Sequence, residues 1–417
     1  SSLSGDINST FSLSGKASAP QIDWSIAAER LGFDSLRFRD VKSDGSLRLD
    51  KIWSGEGKLQ VGRIRDSSLR LQDLSLEVSG DEQKHQLILS FAGKPVAMQL
   101  QLQGALQKGR WQLAIDKNVI SSPVGTWTLA QPLVVTSRAP WREVSLARGC
   151  WNSEKAQLCL GAGVLGESAG ELPLSLTDFA TERLHPFLPE RFVWNSLMAV
   201  TGKVGWLKGI PRLELSVQTD AGELKADEIV SRYDLFAIKI QLDEKSGNFL
   251  LDFASPELGK ANIDVHIDDP QQRRQLSGNI SLSNLRLYGI APLFDELRRT
   301  KGRIDAKGKL AGDLDKPLFF GSVQLSEGEV DTSAEIANLR QIVSVLQING
   351  SRADLDGSMM VGKGKLRLGG YLDWGTGAPQ GRLTLDADTL EVGLAGYGRA
   401  RVSANLVSTI GDELNLQ

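Results

Sequence analysis

Met98-Gln99-Leu100-Gln101-Leu102-Gln103 decides the fold: every second residue is apolar and each residue between is an amide. In an extended chain successive side chains point to opposite faces, so this run describes a strand with one apolar and one wet face. The alternation recurs on both sides of it. Upstream it runs through Leu74, Leu76 and Val78, then through Leu87, Leu89 and Phe91. Downstream it returns at Leu213, Leu215 and Val217, at Leu366 and Leu368, and at Leu383 and Leu385. Turn signals such as Ser43-Asp44-Gly45, Lys108-Gly109 and Asp356-Gly357 punctuate the runs. Short loops of this kind join antiparallel neighbours and leave little room for helical crossovers. The expectation is an all-β chain: a long curled antiparallel β-sheet, open as a groove, with a few short helices.

Three stretches carry a helical pattern. Ile290 to Arg299 has Pro292 in its first turn and Gly302 beyond its end. Asp178 to Leu188 stops at Pro189, and a third pattern runs from Ala334 to about Leu346. Repetition is degenerate: Leu13-Ser14-Gly15 before Pro20 matches Leu310-Ala311-Gly312 before Pro317.

A sheet with one apolar face must hide that face, and three short helices cover little of it. Periodicity leaves two solutions open. The chain folds into two or three closed β-sandwiches, or it leaves a trough for something outside itself. A long apolar trough exceeds the patches that a soluble monomer exposes, so it reads as a binding surface. An acyl chain buried there gains about 0.8 kcal/mol per methylene. The candidate lining is Leu87, Leu89, Phe91, Met98, Leu100, Leu102, Leu213, Leu215, Val217, Leu366, Leu368, Leu383 and Leu385.

Composition narrows the classes. A length of 417 residues is that of two or three domains, and a net charge of −3 argues against nucleic acid as a partner. Aromatics, at 6%, are scarce for closed cores. No run of 18 apolar residues and no signal peptide is present, and the chain opens on Ser1-Ser2-Leu3, so it reads as a fragment of something longer. Cys150 and Cys159 suit facing strands of a hairpin; a disulfide is the favoured reading, two buried thiols the alternative. A disulfide implies an oxidising compartment, in a bacterium the periplasm.

Catalytic signatures are missing. His85, His185 and His266 are scattered, which disfavours a metal site, and they read as surface histidines. Gly161 to Gly166 fits a dinucleotide-binding pattern only superficially, because no helix pattern follows. The reading is no enzyme, no cofactor and no metal. Trp141, Trp151, Trp194, Trp206 and Trp374 read as gap-fillers at strand ends or beside helices.

Three stretches together resemble the TamB family of the AsmA-like group. They are Trp141-Arg142-Glu143-Val144 with Gly149-Cys150-Trp151 and Leu158-Cys159-Leu160; Phe187-Leu188-Pro189 with Gly202-Lys203-Val204 and Leu207-Lys208-Gly209; and Leu287-Tyr288-Gly289-Ile290 with Gly302-Arg303-Ile304 and Leu310-Ala311-Gly312. The similarity covers most of residues 140–417, whereas 1–139 fit in pattern only. The expected division is groove repeats over 1–139, a groove segment with the cysteine hairpin and a short helix over 140–210, and groove repeats over 211–417. The resemblance implies a β-taco related to bridge-like lipid-transfer proteins, carrying phospholipid acyl chains across the periplasm between inner and outer membranes. It implies an inner-membrane anchor in the full-length protein and an outer-membrane TamA-like barrel as partner, bound through a region outside this fragment. The alternative it leaves is a chaperone-like module that assists insertion of outer-membrane β-barrel proteins such as autotransporters.

Overall fold

A computed structural model describes residues 3–67, 69–138, 143–290, 300–330, 339–375, 379–394, 398–410 and 415–416. The chain forms two units, residues 1–179 with 201–209, and residues 180–200 with 210–417.

In the first unit β1 (Leu3–Gly5) and β2 (Asn8–Lys16) both pair with β3 (Ala19–Phe33). A meander follows through β4 (Leu36–Leu49), β5 (Trp53–Arg65), β6 (Arg70–Asp81), β7 (His85–Lys94), β8 (Ala97–Gln107) and β9 (Arg110–Ser122). Each is antiparallel to the strand before it. The far edge of β9 is then shared. Its end, Val119–Ser122, pairs with β10 (Gly125–Leu129), and its start, Arg110–Ile115, pairs with β11 (Leu133–Arg138). Two lanes result. One continues through β13 (Gly149–Ser153) and β14 (Ala156–Leu160), the other through β12 (Glu143–Leu146) and β15 (Gly163–Gly166). Both lanes rejoin on β16 (Ala169–Ala180). The chain crosses between lanes beside Leu133, which is 2% exposed. Gly149 is required there, because a Cβ would fall 2.8 Å from a Leu133 methyl.

Strands β3 to β6 share a kink. Ala28, Val41, Val61 and Leu74 lie in one cross-strand row. The next apolar row is Leu31, Phe38, Ile64 and Leu71, three residues along each strand instead of two. Val61 and Ile64 are both buried. Asp40 and Asp73 take φ of 56° and 51° at this line, and left-handed residues are what allow the pleat to change face there.

The second unit contains β17 (Phe192–Asn195) and part of β18 (Leu197–Leu207). Its meander runs from β19 (Ile210–Thr219) to β22 (Leu235–Leu242), β23 (Ser246–Ser255), β24 (Gly259–Asp268) and β25 (Gln275–Arg286). It continues through β26 (Thr300–Gly312), β27 (Pro317–Val330), β28 (Leu339–Gly350), β29 (Arg352–Val361), β30 (Gly364–Asp373), β31 (Gln380–Leu394) and β32 (Gly398–Ile410). Between β19 and β22 the chain builds β20 (Gly222–Ala226) and β21 (Ile229–Tyr233), which join β17 in a separate three-stranded sheet.

The all-β expectation holds, and the described strands form one long antiparallel sheet beside a small one. From β3 to β9 and from β22 to β32 consecutive strands pair in the order of the chain, and a separate three-stranded sheet is found among the described residues.

Several local expectations are corrected. Leu339–Leu346 is strand, not helix. Its Ile342, Val343 and Val345 are β-branched, and its backbone pairs with β27 on one side and β29 on the other. Asp178–Leu188 yields only a 3₁₀ segment, Thr181–Phe187, with Pro186 inside it. Of the pattern over Ile290–Arg299, one turn at Leu287–Ile290 is helical and residues 291–299 lie outside the described ones. Gly45 and Gly357 sit within strands, not turns. Gly45 is needed for close approach: a Cβ there would meet the Trp24 ring at 2.2 Å.

Candidate functional site

In the first unit cross-strand register gathers apolar side chains onto one face. Leu87 faces Leu102, Leu89 faces Leu100 and Phe91 faces Met98. The rows extend on one side to Val78 and Leu76, then to Gly57 and Leu59. On the other they extend to Ile115 and Ile120, and from Ile120 to Trp127. Directly opposed residues share a face, so this is one apolar surface crossing many strands. The six candidate residues here are half-buried.

A depression of about 300 Å³ opens on this face among Trp24, Leu47, Trp53, Leu59, Leu76, Val78 and His85. Trp24 lies over Gly45 and Gly57, which oppose it in successive strands. Its indole N–H donates to Ser43 Oγ at 3.1 Å. Because two neighbours lack side chains, the ring lies flat and widens the depression.

Two polar residues interrupt the apolar rows. His85 is buried, correcting its reading as a surface histidine. Its Nδ1 lies 3.2 Å from the Asp81 carbonyl, its ring meets Trp111 edge-on at 5.0 Å, and its Nε2 has no hydrogen-bond partner. The opposed residue, Gly104, leaves the room this ring occupies. His185 is exposed; His266 is half-buried, with Nδ1 2.7 Å from Asn248 Oδ1. The second interruption is Asn118, buried at the bulge where β9 divides its edge. It donates from Nδ2 to the Gln99 carbonyl at 3.2 Å and accepts at Oδ1 from the Trp151 indole at 2.8 Å. Asn118 thus turns its hydrogen-bonding capacity into the sheet, whereas His85 does so through Nδ1 alone.

In the second unit Leu213 opposes Leu242, Leu215 opposes Ile240 and Val217 opposes Ile238. The rows continue through Phe249 and Leu251 to Val265 and Ile263. Further along, Leu368 opposes Leu385 and Gly370 opposes Leu383, while Leu366 opposes Ala387. All seven candidates of this unit are half-buried. One part of the face is covered. Tyr233, 1% exposed, packs on Phe253 at 6.0 Å, and Trp194 meets Phe236 edge-on at 5.0 Å. Tyr233 Oη accepts from the Trp194 indole at 2.8 Å and bonds Thr219 Oγ1 at 2.9 Å. The three-stranded sheet therefore caps the face beside Thr219.

Cys150 and Cys159 face each other in register, Cα atoms 4.0 Å apart, and are bonded. They point away from the face that carries Trp151 and Leu158, so the disulfide staples the hairpin without entering the apolar surface. Trp206 fills a gap as expected: it lies against Gly170 and donates to the Gly166 carbonyl at 3.1 Å. Trp374 is partly exposed at the end of β30, and Trp141 lies outside the described residues. No group of three metal-ligating side chains occurs among the described residues, and none of the helices described there is long and apolar enough to cross a membrane.

A family model described as "TamB, N-terminal domain" matches residues 1–325. The chain belongs to the TamB family. It is also similar to the translocation and assembly module subunit TamB of Haemophilus influenzae, at 23% identity over 427 residues. That alignment covers 100% of this chain and 33% of the relative, so the chain spans about a third of the relative's length. The TamB match takes in residues 1–139, where motifs alone had shown only the strand pattern. Trp24, His85, Asn118 and Tyr233 were not singled out as parts of the face, because each depends on which residue stands opposite.

Proposed function

We propose that this TamB-family chain carries phospholipid across the periplasm, with acyl chains lying along its apolar face and head groups left in water. The observation that supports this is the row structure itself: Leu87–Leu102, Leu89–Leu100 and Phe91–Met98 make an apolar strip whose side chains stay half-exposed. Such a strip solvates an acyl chain at about 0.8 kcal/mol per methylene. The work asked of the protein is binding and passage, not bond chemistry. In the full-length protein an inner-membrane anchor and an outer-membrane TamA-like partner would set the two ends of the path. The thirteen candidate residues are the proposed lining.

Photocrosslinking from Leu100 and Leu215 tests this: capture of phospholipid is expected. Leu100→Asp with Leu102→Asp should stop lipid transfer in a chain that still folds, because a charge on the path is costly to pass. Undiminished transfer by that folded variant would refute the proposal. A second reading, a cradle for outer-membrane β-barrel clients, draws on β2, whose nine residues are all exposed and which pairs only through β3. It expects crosslinks to unfolded protein instead.

A further inference from the structure

Several charges on the wet face stand opposite partners of the other sign, and one opposed like pair, Arg286 and Arg303, shares the Glu327 carboxylate. Lys58 faces Glu77 and bridges it at 2.7 Å, Lys365 faces Asp388, and Arg367 faces Asp386. The end of β4 to β7 beyond the kink breaks this pattern. Arg37 faces Arg65, Arg65 faces Arg70, and Arg70 faces Lys94, so four cations stand in one row across four strands. Arg39 faces Arg63 in the row beside it. All six are exposed. Directly opposed like charges destabilise a sheet, so the row works against the fold that holds it.

The acidic residues nearby sit outside the row itself. Asp34 and Asp66 lie in the hairpin turns, and Asp40 and Asp73 occupy the left-handed kink positions. The strand register sets no carboxylate opposite Arg37, Arg65, Arg70 or Lys94. The Arg37 guanidinium is spent on the Asp34 and Leu36 carbonyls instead.

We infer that this row is a docking surface for the phosphate head groups of an anionic phospholipid bilayer. At about 4.8 Å between strands the row is roughly 14 Å long, too extended for one free phosphate. The reverse side of the same strand ends carries Leu31, Phe38, Ile64 and Leu71. Phe33, 46% exposed, stands at the adjoining hairpin tip. Cations beside an exposed aromatic at the rim of an apolar face match the head-group and acyl boundary of a membrane. This inference does not rest on lipid transfer, because docking is read without any lipid leaving the bilayer.

The test is co-sedimentation of the 417-residue chain with vesicles of phosphatidylglycerol or of phosphatidylcholine. Binding to phosphatidylglycerol is expected, weakening as salt rises. Each cation removed should cost about 5-fold, so Arg37→Gln, Arg65→Gln and Arg70→Gln together should cost about 100-fold. The triple variant should melt no lower than the parent, since it relieves repulsion. A control with Lys239→Gln, Lys260→Gln and Lys309→Gln, three exposed cations of the second unit, should bind like the parent. Equal binding by the Arg37/Arg65/Arg70 variant, an equal loss in the control, equal binding to phosphatidylcholine, or preference for a DNA duplex over the vesicles would each overturn the inference.

Discussion

The Trp151 indole N–H donates to Asn118 Oδ1 at 2.8 Å, a contact between residues 33 apart in sequence. It ties β13, in one lane, to the point on β9 from which both lanes leave. Asn118 is a buried amide on an otherwise apolar face, and it is tolerated because the indole and the Gln99 carbonyl satisfy both ends of it.

Asn118→Leu leaves the Trp151 donor without its acceptor. A buried donor left unmade costs about 1–3 kcal/mol. Equilibrium denaturation should show a loss in that range, and hydrogen exchange should quicken first in β10 and β13. Exchange unchanged in both strands would show that the lanes are held by backbone pairing alone.

Replacing both cysteines by serine opens the nine-residue separation between Cys150 and Cys159. Closing a loop of that size limits the unfolded chain by about 2.5 kcal/mol. The variant should therefore unfold at lower denaturant, and the parent in reductant should behave the same way. The apolar face should keep its strand register, since the disulfide lies on the reverse side.

Tyr233→Phe keeps the ring but strands the Trp194 indole and the Thr219 hydroxyl. A loss of about 1–3 kcal/mol is expected, expressed as fraying of β17, β20 and β21 ahead of the main meander. Hydrogen exchange resolved by peptide distinguishes that from uniform destabilisation.

Asp243 closes the β22–β23 turn by accepting from the Lys245 and Ser246 amides at 2.7 and 2.9 Å. Those backbone hydrogen bonds hold its carboxyl below the ordinary value of 3.8. A depressed folded-state pKa means the turn is supported above the unfolded-state value and loses that support as pH falls through the lower folded one. The Lys245 and Ser246 amides should exchange faster across that acidic window, relative to their intrinsic rates. Asp243→Asn, which cannot titrate, should remove the pH dependence.

Much of this architecture was legible one residue at a time. Met98, Leu100 and Leu102 fall on one face because a strand repeats every two residues, and that holds whatever lies beside them. Cys150 and Cys159 were placed opposite each other by their spacing alone. Legibility failed where a neighbour decides. Gly45 and Gly357 looked like turns because glycine is common there, yet each permits a close approach across the sheet. Leu339–Leu346 carried apolar residues at helical spacing, but two partner strands competed for its backbone and won.

Sequence by itself determined the all-β class, the apolar face and its wet reverse, since these follow from local geometry. Only tertiary structure decided which strands stand side by side. That choice divided the edge of β9 into two lanes, buried His85 and Asn118, capped Thr219 with a small sheet and lined up Arg37, Arg65, Arg70 and Lys94. Register is a relation between distant segments, and no alternation within one strand encodes which residue will face it.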